Sequence, residues 1–229
     1  AAVTAAVMVA LDAWQGRSAS PEELRRRALE AERRQHGLPS GVDTATVLGG
    51  GILWAERREE ELWTSPVVSS PEVLSRFTLF DTGTPAEPTG TVVAEVRALK
   101  EQAPHRVEAL LERMEAATRL FRRSLLGSEE EDLLFSIRTF QRCLEDLGVV
   151  PREVQHRVRQ VEAAGGGAKI SGAGSLSGPG AGSLLVYHPK PEAVDHWPFL
   201  SELRRFQVPF ADAGVRVEAP LPSSENGQP

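Results

Sequence analysis

The sequence predicts an α+β protein in two parts, the second an antiparallel sheet of the ferredoxin-like kind with helices on one face. Three observations carry this expectation. Apolar residues recur at helical spacing within 1–36 and 89–164. Short runs of β-branched, leucine and aromatic residues, bounded by glycine or proline, occur at 52–64, 76–80, 168–171, 183–187 and 215–219. The Ser/Pro-rich stretch Pro66 to Pro71 reads as a boundary, so that 1–70 form one part, 71–219 another, and the polar, proline-rich 220–229 a loose tail.

Each element follows from its residues. Residues 1–14 are rich in small apolar side chains and read as a helix. Ser20-Pro21-Glu22-Glu23 starts the next one, with Ser20 as cap, Pro21 in the first turn and Glu23 closing a capping box. This helix runs to about His36 and stops at Gly37. Gly41 to Gly51 is small and glycine-rich. Ile52 to Glu56 and Glu61 to Thr64 form a hairpin about a charged turn, and Arg76 to Phe80 is a short strand. Helices follow over Thr89–Lys100, Pro104–Leu126, Glu129–Leu147 and Pro151–Ala164. Ala168 to Ser171 and Ser183 to Tyr187 are strands around a glycine-dense loop. Pro191 to Phe206 reads as a helix and Val215 to Ala219 as the last strand.

Composition narrows the function. The chain has 229 residues, with 26 basic and 32 acidic side chains for a net charge of −6. Its arginine clusters alternate with glutamates, as on a solvated helix face, so no nucleic-acid partner is expected. No apolar run reaches the ~20 residues of a membrane helix, so no membrane partner is expected. Cys143 is the lone cysteine, which excludes an intrachain disulfide and a CxxC site. A reducing, cytoplasmic setting fits.

Three features point to chemistry. Glu32 falls four residues after Ala28 and eight after Leu24, on the apolar stripe of its helix. A carboxylate there needs a metal, a cation or a hydrogen-bond partner. It could equally reach out to solvent or pair with a nearby arginine. Next comes Gly37-Leu38-Pro39-Ser40-Gly41-Val42-Asp43, where glycines around Ser40 allow close backbone approach. Asp43 is either a second working carboxylate beside Glu32 or an ordinary turn residue. The third is Lys169-Ile170-Ser171-Gly172-Ala173-Gly174-Ser175, a glycine loop able to present backbone N–H groups to phosphate. It has neither the Walker spacing nor that of a Rossmann turn.

Taken in order, these motifs resemble the GHMP small-molecule kinases, and among them the mevalonate kinases. The resemblance rests on E-R-R-Q-H-G-L-P-S-G-V-D over 32–43, Gly49-Gly50-Gly51, Phe80-Asp81-Thr82-Gly83-Thr84-Pro85, and Lys169 to Gly174. It implies a two-domain fold, the remainder of an S5 domain 2-like N-terminal domain followed by a ferredoxin-like C-terminal one. It implies ATP and Mg²⁺ as cofactors, and mevalonate or a related small-molecule alcohol as phosphoryl acceptor, on the route to isoprenoids. Asp43 then matches the catalytic aspartate and Glu32 the magnesium ligand. Ser40, Gly41 and Thr89 match substrate-binding positions, Thr89 by a looser alignment through Val93-Ala94-Glu95-Val96. Ser171, Gly172, Ala173 and Gly174 match the loop that supports the phosphate site. A homodimer is an expectation of the family.

There are departures. Ser175, Leu176 and Ser177 interrupt the glycine run of the third motif, and Pro179 stiffens it. Val47 stands where the family often has serine. The family's ATP-cradling loop is not in the chain, which opens with Ala1-Ala2-Val3-Thr4-Ala5-Ala6 as though inside the helix that follows that loop. The expectation is therefore of apolar surface exposed on 1–65 and of a chain inactive by itself. Phosphomevalonate or a sugar as acceptor, and a non-catalytic binding protein, are the alternatives.

Overall fold

The structure, a computed structural model, describes residues 1–36, 39–59, 61–127, 129–206 and 211–218, with nothing said of the side chains of residues 35 and 36. It is of the α+β class. The described residues form two compact units, Ala1–Val67 with 211–218, and 68–206. The first break falls inside the Pro66–Pro71 stretch. Segment 211–218, expected in the second part, belongs to the first unit.

In the first unit, α1 (Ala2–Trp14), α2 (Pro21–His36) and α3 (Val42–Gly49) pack on one another beside the hairpin β1 (Leu53–Arg58) and β2 (Glu61–Pro66). The Ser20 hydroxyl accepts the Glu23 N–H at 3.2 Å, as the capping pattern requires. Asp12 of α1 is buried and accepts from Arg27 of α2 at 2.7 Å, joining the two helices. Arg27 foremost, and Arg17 as well, hold its carboxyl below the usual aspartate value against the opposing effect of burial. Helix α3 was not expected from Gly41–Gly51. It is only eight residues long and rich in β-branched residues, which obscures helical spacing. Its start depends on Gly41, whose φ of 78° lies in the left-handed region. Gly50 lets segment 211–218 cross closely, since a Cβ there would lie 2.2 Å from the Ala213 carbonyl carbon. Gly51 N–H donates to Ala211 O, and Val215 N–H to Val47 O. This segment therefore contains no strand among its described residues, contrary to the expected one at Val215–Ala219; Ala219 and the tail 220–229 lie outside the described residues.

In the second unit, β3 (Phe77–Asp81), β4 (Gly167–Ser171), β5 (Ser183–Tyr187) and β6 (Arg204–Phe206) form one antiparallel sheet in the order β4-β5-β3-β6. Read from the β6 edge, this is fourth-first-third-second in chain order, the ferredoxin-like arrangement. Between β3 and β4 lie α5 (Thr89–Gln102), α6 (Pro104–Gly127), α7 (Glu130–Asp146) and α8 (Arg152–Ala163). A short helix, α4 (Pro71–Ser75), precedes β3, with the Ser70 hydroxyl accepting Val73 N–H. Phe80, Ile170, Leu184 and Val186 from the sheet meet Val92, Val107, Val154, Val158 and Val161 from the helices in the main core. Fully burying such a side chain is worth roughly 1.5–3 kcal/mol. Leu79, Leu185 and Lys169 lie in register across the three strands. Beside β4 runs α7, whose Gln141 Oε1 accepts Ile170 N–H at 3.0 Å and whose Arg138 donates to Gly166 O at 3.0 Å.

The expected helix over Pro191–Phe206 is absent. Two short 3₁₀ segments, Pro191–His196 and Pro198–Leu200, lead into β6. Pro198 has no N–H for a helix and drives Trp197 into extended backbone, φ −87° and ψ 105°.

Candidate active site

Two of the three motif groups sit in the first unit. Glu32 lies on the penultimate turn of α2 and is only 8% exposed. Its carboxylate lies 3.1 Å from the Ala1 amino group. Of the readings open from the helix pattern, the structure shows neither a solvent-reaching side chain nor an arginine partner among the described residues.

Gly37 and Leu38 lie outside the described residues. Pro39 and Ser40 lead into Gly41, and Ser40 Oγ accepts Val42 N–H at 3.3 Å. Arg57 of β1 donates to Ser40 O at 2.9 Å and braces the turn. Asp43 occupies the first turn of α3 and is exposed, at the helix end where partial positive charge gathers. The next residue, Thr44, turns inward. Its hydroxyl is buried and has no hydrogen-bond partner among the described residues.

Ser40, Gly41 and Thr44 border a cleft of about 610 Å³ whose other walls carry both charges, Arg25, Arg26, Arg33 and Arg57 with Glu22, Glu23 and Glu61. Neither Asp43 nor Glu32 lines it. Ser40 and Gly41, expected from the sequence to bind substrate, touch this cleft, whereas the two carboxylates do not. Thr44 and Arg57 were not singled out from the sequence. A threonine inside an unrecognised helix and an arginine in a charged hairpin gave no signal.

The remaining candidates sit in the second unit. Thr89 is the exposed first residue of α5. Ser171 ends β4, and Gly172 and Gly174 have φ of 114° and 81°. Gly174 is buried against the α7–α8 connection, where a Cβ would come 2.1 Å from Val149 O. Ser175 N–H donates to that same carbonyl at 3.0 Å.

The rest of the loop is already claimed. Glu87 accepts from Ser175 Oγ at 2.6 Å, Ser177 Oγ at 2.5 Å and Leu176 N–H at 2.9 Å. These bonds, led by Ser175, draw the Glu87 carboxyl down to about 2. The residues that depart from the glycine run are thus the ones that secure the loop to the start of α5. Glu87 could have been found as an acid beside the D-T-G-T-P turn, but its partner loop lies far along the chain.

Among the described residues no three or more His, Cys, Asp or Glu side chains form a metal-holding group. A magnesium ion bound mainly by phosphates and water needs only one or two carboxylates. Glu32, a buried carboxylate on α2, is of the donor type that one such ligand requires.

Comparison with known proteins now bears on these motifs. The family model described as the GHMP kinases N terminal domain matches residues 1–51. A mevalonate kinase of Methanothermobacter thermautotrophicus is 29% identical over 192 residues, covering 82% of this chain and 59% of that protein. One from Aeropyrum pernix is 31% identical over 178 residues, covering 76% and 52%. The chain thus spans between half and three-fifths of the length of these relatives. Among solved structures, L. major mevalonate kinase in complex with R-mevalonate superposes with a TM-score of 0.66 at 22% identity, over 82% of this chain and 58% of that one. That likeness bears on the fold, which is the two-domain fold of this family. With the P-S-G-V-D turn at the head of α3, the buried Glu32 and the S-G-A-G loop after β4, the chain is similar to GHMP kinases, through its residues 1–51 and through these mevalonate kinases.

Proposed function

We propose that the chain carries part of a kinase that transfers the γ-phosphoryl of ATP to the hydroxyl of mevalonate, giving 5-phosphomevalonate for isoprenoid synthesis. The observation that carries this reading is the turn 39–43, which presents Asp43 to solvent from the first turn of α3 while Glu32 stays buried on α2. The named relatives are mevalonate kinases, which favours that acceptor.

In this reading each carboxylate has its own work. Asp43 accepts the hydrogen bond of the acceptor hydroxyl and takes its proton as the oxygen attacks phosphorus. Ser40 and Gly41 shape the turn that aims Asp43. Glu32 would hold Mg²⁺ through one carboxylate oxygen. The metal, when bound with ATP, neutralises charge on the transferring phosphoryl group. Ser171 to Gly174 remain to support the phosphates, since Glu87 takes the donors at 175–177. Thr89 contributes a hydroxyl toward substrate. Positioning and charge neutralisation supply most of the rate in such chemistry.

The test is coupled ADP release, on the protein expressed from its whole reading frame, with mevalonate, phosphomevalonate and galactose each offered. Mevalonate is expected to be turned over, and Asp43→Ala to lower kcat by roughly 10²–10⁴-fold. Unchanged mevalonate turnover in that variant overturns the role given to Asp43. Turnover of phosphomevalonate or galactose alone moves the acceptor within the family. A second reading, a binding protein without turnover, draws on the Glu87 bonds that fill the third motif. It predicts nucleotide or mevalonate binding with no ADP released.

A further inference from the structure

A separate cavity lies in the second unit, between α6, α7 and the face of β4 and β5. Its volume is about 220 Å³. Ala117 and Phe121 of α6, Ile137 and Phe140 of α7, and Leu185 of β5 make it apolar. Two hydroxyls reach it, but each already donates within its own helix, Thr118 to Met114 O at 2.7 Å and Ser136 to Leu133 O at 2.8 Å. One charged group enters it, Lys169.

The Lys169 ammonium has three donors and uses one, to Ile170 O at 2.8 Å. Its Nζ lies 5.0 Å from the centre of the Phe140 ring, a cation–π contact. Among the described residues no carboxylate pairs with it. Burial without an acid lowers Lys169 to about 8, as expected for a desolvated ammonium. Every other wall is apolar or internally satisfied, so the cavity offers one positive charge at the rim of a hydrocarbon pocket.

We propose that this cavity binds a small aliphatic monocarboxylate, its carboxylate on Lys169 Nζ and its alkyl chain among Ala117, Phe121, Ile137 and Leu185. The size argues for a short chain, since sites for drug-sized ligands run to about 300–1,000 Å³. The charge argues for a monoanion, because a phosphate group would call for several donors and only one cation is present. A nucleotide is too large and too polar for these walls. The inference is independent of the kinase reading, because no residue of the cavity belongs to the motifs used there except Lys169, which precedes the Ser171–Gly174 loop without a role in it.

The experiment compares hexanoate, hexanol and hexylammonium as probes on the full chain, by calorimetry and by NMR of the Lys169 side chain and the Ile137 and Leu185 methyls. Hexanoate is expected to bind most tightly and to shift all three sets of resonances. Lys169→Met should weaken hexanoate about tenfold or more while leaving hexanol within about twofold, the value of one charge-assisted contact. Should Lys169→Met fail to fold, the order of the three probes on the unaltered chain decides. Hexanol or hexylammonium binding as well as hexanoate, or hexanoate binding without shifting Lys169, overturns the proposal.

Discussion

Three charged groups, two buried and one half-buried, show how far single residues can be read. Glu32 was legible because spacing alone puts it on an apolar stripe. Asp12 was visible only as a charge inside an apolar run. Its burial depends on Arg27 of another helix, which no local pattern announces. Lys169 was seen only as the residue before a glycine loop, yet it is the one whose charge the fold disfavours. The sign follows from its lowered value. The unfolded chain holds the Lys169 proton up to about pH 10.5, whereas the folded chain releases it near 8. Its penalty is thus complete below pH 8 and fades as pH rises toward 10.5. Lys169→Met should therefore raise the urea midpoint at pH 7, and the gain over the unaltered chain should shrink at pH 10. An equal gain at both pH values would show that the methionine acts by packing alone.

Elements were readable where the pattern is long or bounded by strong punctuation. The four helices between β3 and β4 and both strands around the glycine loop follow from apolar spacing and from Gly165-Gly166-Gly167. The short ones, α3 and α4, were missed because eight and five residues give too few repeats of a helical period. The segment after β5 misled in the other direction, since its apolar spacing ignores what Pro198 does to Trp197. Most of the candidate site was legible as motif, whereas its bracing by Arg57 and Glu87 was not, because each acts across turns or strands. The loop after β4 gives two tests. Gly174→Ala combines a left-handed φ of 81° with a Cβ driven into Val149 O, and should destabilise the chain by about 2 kcal/mol or more in urea unfolding. Glu87 is held at about 2 against an ordinary 4.5, so its contribution is present above pH 4.5 and lost as pH falls toward 2. Glu87→Gln should flatten the acid limb of the stability profile in that window and speed proteolytic cutting within 171–182. A profile superposable on that of the unaltered chain would leave these hydrogen bonds without energetic weight.

At the scale of the molecule, α1 turns Val3, Val7, Leu11 and Trp14 to the surface, at 78, 51, 48 and 82% exposure. Their spacing of four, four and three makes one apolar stripe along the helix. Such stripes drive association. Val7→Glu with Trp14→Glu should lower the sedimentation coefficient of concentrated samples toward that of a single chain, with little change in the urea midpoint. Association undiminished by the pair would place the contact elsewhere. Among the described residues no helix is long and apolar enough to cross a membrane.

The sheet of the second unit behaves differently at its outer boundary. Ordinarily a terminal strand offers a ladder of unspent main-chain groups to any passing extended chain. Here Gln141 and Arg138 act as side-chain surrogates for a missing neighbour strand, occupying Ile170 N–H and Gly166 O from a helix that cannot itself be lengthened into a ladder. The sheet is thereby terminated along β4, and recruitment of a further strand, whether from a peptide or from a misfolded copy, would first have to displace α7.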